Sequence, residues 1–248
     1  MSFKDKVILI TGTSSGIGKL CGERFLELGA IVIGTIRRDQ PSFTEMADLY
    51  PDRCFTKKLE VADRMQVEKV VAEIIAEHGH IDILINNAGT HMNATVVETS
   101  EDEWDNVINS NVKSVYLLCH NVIPIMQKQK SGNIINVSSR VGVTGSPRSA
   151  AYCASKAAVN NLTREMAIDY AVDNIRINAV APGMVETPMV DRQFGNDEDR
   201  KEKTIQMYPM KRFSKPEEIV DVIEFLASDK SSNLTGTIIA VDGGRSAM

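Results

Sequence analysis

The 248-residue sequence predicts an α/β fold, a single doubly wound parallel seven-stranded sheet with helices on both faces. Three observations predict it. Short Val, Ile and Leu runs alternate with amphipathic helical stretches along the whole chain. Those runs are continuously apolar, as strands covered on both faces require. No linker rich in Pro, Gly or Ser, no repeat and no low-complexity block interrupts them, so residues 1–248 read as one domain.

The elements follow in order. Val7 to Thr11 is the first strand, and the turn around Gly16-Ile17-Gly18 opens a helix that runs through Leu28. Ile31 to Ile36 and Cys54 to Leu59 are the second and third strands. Helical spacing from Val67 to Ala76 precedes a fourth strand, Ile81 to Ile85. One long helix is expected from about Glu101 to Gln129, kinked at Pro124, which has no amide hydrogen to donate. Asn133 to Ser138 is the fifth strand, Tyr152 to Val172 a strongly periodic helix, Ile175 to Val180 the sixth strand and Thr237 to Val241 the seventh. The irregular zone, Met184 to Met210, carries a charged cluster from Asp197 to Lys201. It reads equally as a solvated helical excursion and as a mobile substrate lid over 184–210.

Composition narrows the function. A formal net charge of -5 offers no general attraction to nucleic acid or to anionic lipid. No apolar run approaches the roughly 18 residues that span a bilayer, so no membrane association and a cytoplasmic location are expected. Cys21, Cys54, Cys119 and Cys153 form no CxxC pair, and His78, His80, His91 and His120 add no ligand spacing, so no metal site is expected. His78 and His80 read as a solvated helix end.

Glycines between the first strand and first helix let backbone amides and the helix N-terminus approach a pyrophosphate. Gly12, Ser14, Ser15, Gly16, Ile17 and Gly18 are therefore candidate cofactor-binding residues, although glycines also serve plain tight turns. The second strand ends in Arg37-Arg38, with no carboxylate for the ribose hydroxyls of NAD. Two guanidinium groups suit a 2′-phosphate, which favours NADP(H) over NAD(H). Asp39 would neutralise part of their field.

Tyr152 and Lys156 lie four apart on a helix and share a face. A free phenol is too weak an acid for proton exchange at neutral pH. An ammonium at about 5 Å, with an effective dielectric near 20, would favour phenolate by roughly 3 kcal/mol, or about two pKa units. Ser139 follows the fifth strand, on the side where doubly wound sheets bind ligands, and its hydroxyl suits a substrate carbonyl. Asn111 lies within the long helix, with capping or bending that helix as its structural alternative. Asn86-Asn87-Ala88-Gly89 follows the fourth strand and can tie strand ends through amide hydrogen bonds. His91, Arg140, Thr144, Arg148 and Met184 flank this region.

Together, TGTSSGIG at Thr11 to Gly18, NNAG at Asn86 to Gly89, Asn111, Ser139, Tyr152-Cys153-Ala154-Ser155-Lys156 and Pro182-Gly183 closely resemble the short-chain dehydrogenase/reductase family over essentially the whole chain. The resemblance implies a Rossmann-like sheet of strand order 3-2-1-4-5-6-7 and a catalytic tetrad of Asn111, Ser139, Tyr152 and Lys156. Ser139 would orient the substrate oxygen and Tyr152 would exchange a proton with it. Lys156 would also hold the nicotinamide ribose, and Asn111 would position a relay water. Asn87, Ala88 and Gly89, and the turn Pro182, Gly183, Val185 and Thr187, would complete the cofactor site. Glu60-Val61 stands where many members carry Asp-Val near the adenine. Ser15 stands where some NADP-preferring members carry a second cation, which keeps NAD in view. The Val241-Asp242-Gly243-Gly244 end resembles the family's tetramer-forming terminus and implies a homotetramer. The implied activity is hydride transfer between NADP(H) and a ketone or secondary alcohol. Alternatives are a 3-oxoacyl-thioester (acyl-carrier-protein) reductase, an NAD-dependent alcohol or polyol dehydrogenase, and a non-catalytic dinucleotide sensor. Asp173, near the end of the Tyr152 helix, counts against the acyl-carrier alternative, while Lys130 keeps a cation for it.

Overall fold

The computed structural model describes residues 2–38 and 41–248. Asp39, expected to temper the charge of Arg37 and Arg38, lies outside the described residues.

The strands are β1 (Val7–Thr11), β2 (Ile31–Ile36), β3 (Cys54–Lys58), β4 (Ile83–Asn86), β5 (Gly132–Val137), β6 (Ile175–Pro182) and β7 (Ile238–Val241). They form one sheet of order β3-β2-β1-β4-β5-β6-β7, parallel at every pairing. The family of the fold is therefore the Rossmann-like α/β class that the alternation of elements predicted.

The period of two along each strand divides the core. Val7, Leu9, Ile33, Leu84, Ile134 and Ile177 face one layer, built on α3 (Arg64–His78), α5 (Ser114–Gln129) and α6 (Ala150–Tyr170). Ile8, Ile10, Val32, Ile85, Ile135 and Val180 face the other, built on α1 (Gly16–Glu27) and α9 (Pro216–Ala227), with Met46 and Ala47 of α2 (Pro41–Leu49) packed against it. Because β2 flanks β1 on one side and β4 on the other, their crossovers leave opposite faces and the carboxyl ends open a crevice between β1 and β4.

Local chemistry sets the helix ends. Asp63 caps α3 by accepting from the Gln66 amide, and Gly79 ends it at φ 79°, a left-handed conformation that suits a residue without a Cβ. Ser100 and Glu103 form a reciprocal capping box on α4 (Glu101–Ile108).

The expected single helix from Glu101 to Gln129 is instead three pieces: α4, a π-helical turn over Asn109–Lys113, and α5. The interruption sits at Asn111 rather than at Pro124, through which α5 runs without a break. The structural alternative raised for Asn111 was capping or bending the helix; the structure places Asn111 within the π-helical turn that interrupts it.

Residues 184–210 contain α7 (Pro188–Phe194) and α8 (Glu198–Gln206). Val190, Phe194, Tyr208 and Phe213 bury one another in a small core of their own, with Met184 and Ile205 against it. The zone is more than a solvated excursion. Among the described residues, no helix is long and apolar enough to cross a membrane, and no group of three His, Cys, Asp or Glu could hold a metal ion.

Candidate active site

The crevice is floored by hydrogen bonds that tie β1 to β4. The Thr11 hydroxyl accepts from the amides of Asn87 and Ala88, each at 3.0 Å. Asn87 Nδ2 donates to the carbonyls of Thr11 at 2.9 Å and Gly12 at 3.1 Å. Asn87 therefore serves the strand ends, as its amide chemistry suggested, and shapes the cradle by doing so.

The glycine turn has its steric reason here. Gly12 takes φ +74°, and a Cβ on it would lie 3.0 Å from the Ala88 Cα. A Cβ on Gly18 would lie 2.2 Å from the Gly12 carbonyl oxygen. Gly16, at φ +58°, faces the other wall, where a Cβ would lie 3.4 Å from Thr187 Cγ2. Ser15 occupies the N-cap position of α1, yet its side chain makes no capping bond there, and it is exposed. Amides at a helix N-terminus, beside a surface without Cβ atoms, form a cradle that fits a pyrophosphate. Ile17 is half-buried against the sheet core.

The facing wall is the turn after β6. Gly183 N donates to the Val241 carbonyl at 3.0 Å, and Met184 N to the Tyr208 hydroxyl at 3.0 Å. Val185 is buried and bridges to Ser214, while the Thr187 hydroxyl donates to the Val185 carbonyl at 3.2 Å. Arg37 and Arg38 follow β2 directly, are exposed, and have no ion-pair partner among the described residues. Glu60 N donates to Gln66 Oε1 at 3.0 Å, and Val61 is buried beside it.

Ser139, Tyr152 and Lys156, three of the four residues expected as a tetrad, lie together. Ser139, at the end of β5, accepts from the Val141 amide at 3.4 Å and donates to the Pro182 carbonyl at 3.5 Å. It also lies close enough to the Tyr152 phenol to favour its ionised form, a pull in the useful direction. Lys156 is buried, and its Nζ donates to the Val137 carbonyl at 2.8 Å and lies 5.7 Å from the centroid of the Tyr152 ring.

Asn111 is fixed by bonds of its own. Its Oδ1 accepts from Thr90 N at 2.7 Å, and its Nδ2 donates to Thr90 O at 2.9 Å and to Ser155 Oγ at 3.0 Å. Gly89 leaves room for this clasp, because a Cβ there would lie 2.9 Å from Asn111 Oδ1 and 3.7 Å from Lys156 Nζ. Ser155 and Thr11 stand in the quoted motifs, but the sequence assigns neither a role of its own. Their signal was position alone, Ser155 beside Lys156 and Thr11 at the strand end facing NNAG.

The electrostatics differ from the sequence expectation. Desolvation by the packed surroundings pushes the Tyr152 phenol up to about 12, with the nearby Ser139 side chain opposing it, and the ammonium of Lys156 is not among the causes. Burial also pushes Lys156 down to about 8. The expected two-unit acidification by a lysine about 5 Å away is absent from the protein by itself: the low-dielectric environment penalises both charged forms more than they help each other.

Comparison with known proteins agrees with this geometry. Residues 12–246 match the family model described as Enoyl-(Acyl carrier protein) reductase. A 3-oxoacyl-(acyl-carrier-protein) reductase of Thermotoga maritima is 44% identical over 246 residues, covering 98% of this chain and 99% of that protein. A meso-2,3-butanediol dehydrogenase of Serratia marcescens is 37% identical, covering 100% of this chain and 97% of that protein. Among solved structures, a levodione reductase superposes with a TM-score of 0.94 at 35% identity, covering 99% of each chain. ElxO with NADP bound superposes with a TM-score of 0.91 at 30% identity, covering 98% of this chain and 100% of that one. A matching family model over nearly the full length, relatives that are reductases and dehydrogenases, and a sheet of the same class identify the chain as an NAD(P)-dependent oxidoreductase of the short-chain dehydrogenase/reductase family.

Proposed function

We propose that the protein interconverts a ketone and a secondary alcohol, with Tyr152 as general acid and base and NADP(H) as the preferred cofactor. The observation that carries this reading is the grouping of Ser139 and the Tyr152 phenol with buried Lys156, whose Nζ lies 5.7 Å from the Tyr152 ring centroid, in a chain whose glycine turn is shaped for a dinucleotide.

The bound nicotinamide supplies the hydride for reduction and accepts it in oxidation. The chain's own residues do the rest. Ser139 and Tyr152 together hold the substrate oxygen, and the phenol, neutral at pH 7, donates its proton as that oxygen gains charge. Lys156, mostly protonated at pH 7 and anchored on the Val137 carbonyl, offers its remaining N–H groups to the cofactor ribose and to the charge left on Tyr152. Asn111 acts by clasping Thr90 and Ser155, which fixes the loop after β4 against α6, and a relay water would sit beside the π-helical turn that carries it. Gly12 to Gly18 would hold the pyrophosphate, Val61 the adenine edge, and Val185 and Thr187 the carboxamide.

Arg37 and Arg38 support NADP(H), since both guanidinium groups follow β2, are exposed and have no ion-pair partner among the described residues, and a 2′-phosphate would be met at that strand end. A homotetramer is supported by the open outer edge of β7 and by Ile168 and Val172, which are 77% and 88% exposed on and just after α6. We assign the enzyme to the cytoplasm on the same reading.

The acyl-carrier alternative has one observation in its favour, the 44% identity to a reductase of that name. Against it, Lys130 is engaged by Asp173 at 2.6 Å, so a carrier's acidic surface would have to displace a bonded carboxylate. The test is oxidation of NADPH and of NADH, followed by absorbance, against simple ketones, hydroxyketones and 3-oxoacyl thioesters. Ketone turnover that is faster with NADPH supports the proposal. Turnover confined to thioesters establishes the alternative, and cofactor binding without turnover on the whole panel establishes a sensor.

A further inference from the structure

His91 packs its ring against that of Tyr152. Its ring centroid lies 4.8 Å from that of Tyr152 with the planes at 76°, an edge-to-face contact. The residue is half-buried, and neither ring nitrogen has a hydrogen-bond partner among the described residues. His80, by contrast, bonds the His78 carbonyl and stands 3.1 Å from Asp82.

The segment carrying His91 is held at both ends. Thr90 is clasped through its N–H and C=O by the Asn111 amide. Ala94 forms a parallel bridge with Ser149, and its carbonyl accepts from the Ala150 amide at 3.3 Å, fastening the segment to the start of α6. An imidazole fixed in this way against the proton-donating phenol is preorganised toward whatever oxygen the phenol addresses.

We propose that His91 is a specificity-determining residue that hydrogen-bonds a second oxygen of the substrate, within a few bonds of the reacting carbon, so that the preferred substrates are hydroxyketones, diketones and the corresponding diols rather than simple ketones. This rests on the carbonyl reduction proposed above. Burial holds the His91 imidazole below its ordinary pKa, so it is neutral at pH 7 and presents one donor and one acceptor. Closing a substrate over that ring strips water from both nitrogens. A ligand with a matching oxygen replaces the lost bond, and one without it leaves a polar group unpaired. A residue needed only for packing would be served as well by phenylalanine, which keeps the edge contact with Tyr152.

The experiment compares 3-hydroxy-2-butanone with 2-butanone, using NADPH, in the wild type, His91→Phe and His91→Gln. The wild type is expected to prefer the hydroxyketone by about 10-fold or more in kcat/KM. His91→Phe should lose that preference mainly through a raised KM for the hydroxyketone, the ratio of kcat/KM for the two ketones falling toward one whatever the change on 2-butanone, and His91→Gln, which keeps a donor and an acceptor, should recover part of it. Equal losses on both substrates in His91→Phe, or a wild type without preference, overturn the inference while leaving the carbonyl reading intact. A wild type that binds NADPH and reduces neither ketone overturns the reading on which the inference rests, and the inference with it.

Discussion

Removing the amide of Asn111 isolates what its side chain does. In Asn111→Ala the Thr90 N–H, the Thr90 C=O and the Ser155 hydroxyl each lose a partner that now lies between 2.7 and 3.0 Å away. Three hydrogen bonds at about 1 kcal/mol each give a loss near 3 kcal/mol. Ser155 keeps its 2.8 Å bond to the Tyr152 carbonyl, and half-buried Thr90 can recruit water, so the loss stays near that figure and does not approach the full desolvation cost. Urea unfolding of the two proteins measures it as a shifted midpoint at unchanged slope. The segment that carries His91 is freed at one end, so kcat should fall by about 10- to 100-fold through misplacement alone. A midpoint equivalent to less than about 0.5 kcal/mol of wild type, with kcat intact, would refute the clasp as the reason for Asn111.

Three further outcomes follow from the same geometry. Replacing Arg37 by Ser should raise KM for NADPH by 10-fold or more, on the order of one lost charge-assisted bond, and leave KM for NADH nearly unchanged; steady-state kinetics with both cofactors would expose an error as equal shifts. Gly18→Ala puts a Cβ 2.2 Å from the Gly12 oxygen and 2.4 Å from Asn87 Nδ2, so it should cost about 1–3 kcal/mol in thermal melts and weaken cofactor binding in a fluorescence titration, and wild-type values in both would count against the cradle. Lys156 has a folded pKa of about 8 against 10.5 unperturbed, so between those values the unfolded chain holds a proton that the folded chain lacks and stability from this group rises with pH. Lys156→Met should therefore lose about 2–3 kcal/mol relative to wild type between pH 7 and pH 10, whatever its offset at pH 7, and a pH-independent difference would contradict the burial assignment.

The sheet was legible because apolar runs such as Val7–Ile10 and Ile31–Ile33 have few other places to go, and the glycine turn because Gly12 and Gly18 leave no space for a side chain. Order and spacing in the sequence name the proposed site residues as a set, while the energetics of Tyr152 and Lys156 were not legible there. Desolvation depends on everything packed around a group, so a two-residue estimate for Tyr152 and Lys156 captured their attraction and omitted the larger opposing cost. The π-helical turn at Asn109–Lys113 was hidden because helical periodicity continues on both sides of it and only the clasp of Asn111 on Thr90 shows what it accommodates. The same holds for Arg176, an ordinary strand residue in sequence. In the fold its guanidinium donates to the carbonyls of Leu226, Ser228, Ser231 and Leu234 and so fastens β6 to the end of α9.

Proton transfer by Tyr152 is the claim on which the chemistry stands, and Tyr152→Phe tests it with the ring and its edge contact to His91 preserved. With NADPH and a ketone that the wild type turns over, the variant should bind NADPH within about twofold of wild type and lose at least about 100-fold in kcat, the scale of general acid catalysis. A variant that keeps more than a tenth of wild-type kcat would contradict the account.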